Sequence, residues 1–301
     1  MRSRPGVLLF AAALASAVPA AQDRAVREAP RFRSRVEVIG VTSTVRDAEG
    51  RLVTDLPRDA FEVYEDGNRQ AITQFTRERV PISLGVLLDV SDSMYGRRME
   101  DARGAVKRFL FDLLDPTDEF FILAFNHEPR VLTGWTRTPA IVRQALEGLR
   151  PFGGTAVYDA VLASLPMIET RSEQRTALLL ISDGADTSSD ATLRNVRSAL
   201  LRSDAFVYAI AINPHVSQPI NTQVNPAALR DITDGSGGRT EIAQDTADLV
   251  ATTSSIAEEL NHQYVLGYNS PHPPDGKYHA IRVRVRDPSY RVRARSGYVA
   301  G

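Results

Sequence analysis

Three short stretches carry side chains suited to holding a metal ion: LLDVSDSMYG (87–96), FGGTAVYDA (152–160) and LLLISDGAD (178–186). The first ends an apolar run with Asp89, Ser91 and Ser93 at alternate positions. In the second, two glycines set Thr155 at the start of a helical segment. The third places Asp183 just past another apolar run. Two carboxylates and three hydroxyls, with no His or Cys beside them, form an all-oxygen set. Such donors suit Mg²⁺, or Mn²⁺, over zinc or copper. Some of the five would act through water, leaving an octahedral ion incompletely held and net positive. An external carboxylate can complete such a shell, so the chemistry is that of a docking site rather than a sealed structural one. A DxSxS string by itself is weak evidence, because Asp and Ser are common in turns and helix caps. The case rests on all three stretches together.

Elements of alternating type must position these groups. Over residues 81–261, short apolar strands (ISLGVLLDV, FFILAF, TALLLIS, AFVYAIAI) alternate with segments of helical period such as RMEDARGAVKRFLFDLL and NVRSALLRS. This predicts an α/β domain, a doubly wound and mostly parallel sheet with helices on both faces. Ligands of such sheets bind outside the carboxyl ends of the strands, where the strand order reverses. All three polar stretches fall at or near such ends. Residues 31–79 and 262–299 read as strands instead. Val36, Val38 and Val41 suggest a half-buried strand, EDGN a tight turn, and YHAIRVRVRDPSYRVRARSGY a hairpin about DPS. Each flank is at the size where a lone core is marginal without disulfides or metal. The two are therefore expected to pair as one small all-β sandwich, with the α/β domain inserted between them.

DVSDSM, FGGT and ISDG, in this order and spacing, resemble the metal-ion-dependent adhesion site of von Willebrand factor type A domains, over roughly residues 81–261. The flanking LPRDAFEVYEDGNRQAITQF and QYVLGY resemble a bacterial group of exported proteins built around such a domain. The resemblance implies a Rossmann-like fold and assigns Asp89, Ser91 and Ser93 to the first metal loop, Thr155 to the second and Asp183 to the third. It further implies that Ser91 and Ser93 touch the ion and that Asp183 acts through water. Thr155 and Asp89 would exchange direct for water-bridged contact when a ligand binds.

Residues 1–20 read as a signal peptide, with Arg2 and Arg4 before a short apolar core and a small-residue cleavage site at Val18-Pro19-Ala20. No apolar run is long enough to span a bilayer, which takes roughly 20 residues. The sequence contains no cysteine, so an exported chain must hold together by its core. A secreted or periplasmic bacterial protein is expected. The formal charge of −1, which becomes −3 once Arg2 and Arg4 leave with the leader, gives no reason to expect nucleic acid as a partner. TDGSGGRT (233–240) is a scrambled protease-like string better read as a glycine turn. His127, His215, His262, His272 and His279 show no zinc-binding spacing. Arg282, Arg284, Arg286, Arg291, Arg293 and Arg295 alternate with apolar residues. A solvated sheet face, partly paired with acids of the N-terminal flank, is preferred there to an anionic-glycan site. Together these features point to an exported, non-enzymatic module that uses Mg²⁺ or Mn²⁺ to ligate an Asp or Glu of a partner protein. The alternatives are a structural part of an envelope or secretion assembly with a stabilising metal, and a metal-dependent phosphoesterase. The latter lacks an evident general base or phosphate-cradling loop.

Overall fold

The computed structural model describes residues 37–183, 186–212 and 226–301; the signal peptide expected at 1–20, Val36 and His215 lie outside them. Four strands come first, β1 (Val38–Arg46), β2 (Phe61–Glu65), β3 (Asn68–Gln70) and β4 (Ile72–Thr76). The middle of the chain then alternates. It runs through β5 (Ile82–Asp89), α1 (Arg97–Arg108), β6 (Glu119–Phe125), β7 (Pro129–Thr136), α2 (Pro139–Glu147), α3 (Val157–Glu169) and β8 (Arg175–Ser182). It continues with α4 (Leu193–Leu200), β9 (Phe206–Ile212), α5 (Pro226–Thr233), β10 (Thr240–Ala243) and α6 (Thr246–Asn261). Strands β11 (Tyr264–Asn269), β12 (Tyr278–Val285), β13 (Arg291–Ala294) and β14 (Gly297–Val299) follow.

Strands β5, β6, β8 and β9 are buried along their whole length, as a parallel sheet covered on both faces requires. They form a six-stranded sheet in the order β10-β9-β8-β5-β6-β7, parallel except for β7. One face packs against apolar residues of α1, α2 and α6, the other against α3, α4 and α5. The doubly wound reading holds. Strand β7 carries little apolar periodicity because it is an edge strand, mostly outside the core. From β5 the chain first builds outward through β6 and later returns to β8 on the other side. The strand order therefore reverses between β5 and β8.

The flanking strands form two further sheets, β13-β1-β11-β4 and β14-β12-β2-β3. Each contains strands from before and after the α/β region, and they share one apolar cluster. Strand β1 pairs antiparallel with β11 and β13, and β12 pairs with β2. Three expectations change here. Val41 is buried as the pattern expects, but Val38 is 48% exposed, and Ile39 and Val45 join Val41 in the core. The DPS turn closes no hairpin: β12 and β13 belong to different sheets, so the chain crosses between layers there. Finally, the arginine face is not wholly solvated. Arg284 lies opposite Glu62 and over the Tyr64 ring, Arg295 lies over Tyr298, and Arg293 reaches Glu259 of α6.

Glu259 is the most heavily engaged acid of this region. Its carboxylate is fully buried and pairs with Arg46 of β1 (2.9 Å), Arg239 (3.1 Å) and Arg293 of β13. It also accepts from the hydroxyls of Thr44 (3.2 Å) and Tyr208 (2.7 Å). Burial lowers Arg239 and Arg293 to about 10, so both stay charged at neutral pH.

Candidate functional site

The end of β5 enters the reversal point of the sheet. Past Asp89, the Val90 amide still donates to the Phe125 carbonyl (2.7 Å), and the chain then turns through a short 3₁₀ segment, Asp92–Met94, into α1. Asp89 is 0% exposed. One carboxylate oxygen accepts the Ser91 amide (2.8 Å) and the other the Ser182 hydroxyl (2.6 Å). The hydroxyls of Ser91 and Ser93 lie 3.0 Å apart. Asp183 follows directly on β8 and is buried. Its carboxylate faces the Arg98 guanidinium at 3.6 Å, and Arg98 also donates to the Ser93 carbonyl.

Thr155 is buried and joins the others through its loop. The Asp92 amide donates to the Gly153 carbonyl (2.9 Å) and the Phe152 amide to the Val90 carbonyl (2.9 Å), clamping the second stretch to the first. The Thr155 amide donates to the Thr187 hydroxyl (2.9 Å), and the Thr155 carbonyl accepts from the Thr187 and Ser188 amides (2.8 and 3.0 Å). That ties it to the third stretch. Gly153 has φ +77°, and a Cβ there would lie 2.6 Å from the His127 ring. Both facts call for glycine. All five sequence-selected residues thus lie on three hydrogen-bonded loops at the carboxyl ends of the central strands.

Burial pushes the Asp89 carboxyl up to about 7, against the hydrogen bonds from Ser182 and Ser91; the neighbouring charge of Asp183 adds to the rise. Buried oxygen donors whose ionisation is opposed by burial suit a hard cation, which restores the favourable environment that water gave the carboxylate.

Several site residues escaped sequence reading. Arg98 looks like one more solvated helix charge but is buried against Asp183, and its second terminal nitrogen finds no hydrogen-bond acceptor among the described residues. Ser182 closes β8, directly after its apolar run. Asp186 accepts from the Tyr158 amide (3.0 Å) and the Ser189 hydroxyl (2.6 Å), fixing the third loop to the start of α3. Asp159, in the first turn of α3, accepts the Asp190 and Ala191 amides (both 2.9 Å). Helix α4 begins at Leu193. Thr192 is the cap, in a reciprocal pair with Asn195. In the protease-like string, the Ser236 hydroxyl is taken up by the Val207 amide (2.9 Å) and the Thr233 carbonyl (2.7 Å), a structural use.

The profile of the von Willebrand factor type A domain matches residues 84–185. Inter-alpha-trypsin inhibitor heavy chain H2 of Mus musculus is 28% identical over 136 residues, covering 41% of this chain but only 14% of that protein. Among solved structures, a von Willebrand factor type A protein from Catenulispora acidiphila superposes with a TM-score of 0.52 at 18% identity, over 90% of this chain and 65% of that one. Proximal thread matrix protein 1 of the mussel byssus, in a form with a zinc-occupied MIDAS motif, gives a TM-score of 0.53 at 14% identity, over 65% of this chain and 49% of that one. At such identities the two structures speak for the fold alone. With the profile match over β5 to β8 and the reversal point between those strands, the chain carries a von Willebrand factor type A domain.

Proposed function

We propose that this is an exported, non-enzymatic binding module. Asp89, Ser91, Ser93, Thr155 and Asp183 would hold Mg²⁺, or Mn²⁺, and the bound ion would ligate an Asp or Glu of a partner protein. Residues 81–261 would be the binding domain, with 31–79 and 262–299 as its β platform. The observation that carries this reading is the charge count at the reversal point. Asp89 and Asp183 bring two negative charges and Arg98 one positive, with hydroxyls rather than further acids completing the donor set. Without a cation the ionised site is net negative and repels a carboxylate. With a divalent cation it is net positive and attracts one. Partner binding is therefore gated by the ion. The mussel protein with zinc in the corresponding motif shows that the fold accommodates a divalent ion in another chain.

The rim supports a protein rather than a small anion as ligand. Tyr95, 75% exposed, follows the first loop, and Phe152, 55% exposed, opens the second and packs edge-on against His127. Exposed aromatics beside a charged centre are the usual anchors of protein interfaces. No helix of the described residues is long and apolar enough to cross a membrane. Export rests on the leader-like residues 1–20.

Asp183→Ala is expected to weaken Mg²⁺ binding by at least about 100-fold, since it removes one of two carboxylates, and to leave the circular dichroism spectrum unchanged. Calorimetric Mg²⁺ titration of the full chain checks this; undiminished affinity would refute the assignment. Tyr95→Ser with Phe152→Ser is expected to leave Mg²⁺ affinity intact. It should weaken a partner captured from envelope extract in Mg²⁺, and released by EDTA, by about 10-fold or more. A pull-down insensitive to EDTA would instead favour a structural role in an envelope assembly.

A further inference from the structure

The β platform brings together two of the histidines that sequence spacing left apart. His279 lies on β12 and is almost fully buried; His272 lies in the proline-rich connection after β11. Their rings stack with centroids 4.1 Å apart and planes 22° off parallel. Both converge on one carboxylate oxygen of Asp66, with His279 Nδ1 at 2.7 Å and His272 Nε2 at 3.3 Å. One ligand atom from each of the three residues lies within 4.8 Å of the other two. We propose that Asp66, His272 and His279 form a second metal site, distinct from the oxygen-lined one, for a borderline divalent ion of the zinc class.

The donor chemistry separates the two sites. Two imidazoles and one carboxylate are the donors of open zinc sites, which leave a fourth position to water. Zinc–nitrogen and zinc–oxygen bonds of about 2.0–2.1 Å put tetrahedral ligand atoms about 3.3 Å apart. The His272–Asp66 separation already has that value. The His279–Asp66 pair opens by about half an ångström when an ion replaces the shared proton.

A bare cluster of titratable groups would not establish a site; the supporting shell adds a second, independent observation. The other nitrogen of His279, Nε2, meets the Asp275 carboxylate at 3.3 Å. This is the carboxylate–histidine–metal arrangement that orients a ligating ring and raises its basicity. The other oxygen of Asp66, Oδ1, accepts the Ala280 amide at 2.8 Å, so the carboxylate presents its remaining oxygen to the histidines. Asp66 itself has φ +48° and precedes Gly67 at φ +81° in the β2–β3 turn. That turn geometry aims Asp66 across to β12, where its own amide donates to the Ala280 carbonyl (2.9 Å). The connection bearing His272 is anchored by Ser270, whose hydroxyl accepts the His272 amide (3.1 Å) and donates to the buried Glu65 (3.0 Å). Two of the three ligands are thus held in place by groups that do not belong to the site, and the Asp66 and His272 side chains stay 35% exposed, which leaves an entry path. In a chain without cysteine, such an ion would staple the β2–β3 turn, β12 and the connection after β11.

The test is Zn²⁺ titration of the full chain by calorimetry in excess Mg²⁺, with Co²⁺ as a visible-absorption probe. One Zn²⁺ per chain is expected, with a Co²⁺ spectrum of nitrogen-rich, low coordination. Asp89→Ala should leave that binding unchanged. His272→Ala and His279→Gln should each weaken it by at least about 100-fold, and Asp275→Asn by about 10–100-fold. His272 is partly exposed, so its variant keeps the test valid if His279→Gln does not fold. Zinc binding abolished by Asp89→Ala, unaffected by His272→Ala, or absent from the wild type would each overturn the proposal.

Discussion

Replacing Glu259 with alanine is expected to cost the folded chain about 3–5 kcal/mol, the range for breaking a buried ion pair from one side. For a chain of this size that is a fall in Tm of roughly 6–15 °C. The cause is what the carboxylate leaves behind. Arg46, Arg239 and Arg293 converge on it, and the Tyr208 hydroxyl donates to it from within the sheet. The three guanidinium groups keep a quarter or so of their side-chain surface in water, so part of their charge can relax outward, and the lower half of the range is expected. Tyr208 is fully buried and cannot. Glu259→Gln keeps an acceptor for Tyr208 and should lose roughly half as much. The pairs join α6 to β1 and β13, and thus the α/β sheet to the flanking ones. Thermal unfolding should therefore change from one transition in the wild type to two in Glu259→Ala. A loss under about 1 kcal/mol, with one transition kept, would show that the contact is dispensable.

Asp89→Asn should act in opposite directions with and without metal. The carboxyl sits at about 7 in the folded chain against 3.8 for the ordinary group. Between those values the folded state holds a proton that the unfolded state has released. Its contribution to stability is complete below 3.8 and is lost as pH rises through about 7. A shift of some three units corresponds to about 4 kcal/mol of opposition to the buried anion above pH 7. In EDTA at about pH 8, Asp89→Asn removes that opposition. It gives up the fit to the Ser91 amide and Ser182 hydroxyl in part, for an expected net gain of about 2 kcal/mol. Near pH 5 the two proteins should be about equal. In Mg²⁺ the order inverts, because the ion binds the carboxylate and the amide cannot replace it. Mg²⁺ affinity of the wild type should rise about tenfold per unit up to pH 7 and then level off. Melting curves at the two pH values, with Mg²⁺ and with EDTA, read all four arms. Mg²⁺ affinity that is flat between pH 6 and 8 would contradict the account.

The placement of the three oxygen-lined loops is legible because their residues sit in local strings at strand ends, and a strand end is a local signal. Asp89, Ser91 and Ser93 follow a run too apolar to be anything but a covered strand. Arg98 and Ser182 were not legible, because their roles come from neighbours 85 and 93 residues away in the chain, Asp183 and Asp89. The same holds for the flanks. Strand character showed in Phe61, Val63 and the Asp66-Gly67 turn, whereas register and layer depend on pairings across some 200 residues. That is why local pattern alone turns Val38 inward and joins β12 and β13 into one hairpin. His272 and His279 met by the same long-range route.

Among the described residues, the strands before residue 77 find their partners, apart from the short β2–β3 ladder, in segments that begin at residue 264. A ribosome therefore delivers the whole α/β region before β1 and β4 gain a neighbour, and their open backbone edges stay available to other chains until then. Any product halted inside the α/β region, even with that region folded, would expose two unpaired edges and aggregate or be degraded. Strands β11 to β14 thus act as a check that the α/β region between the two β segments has been made.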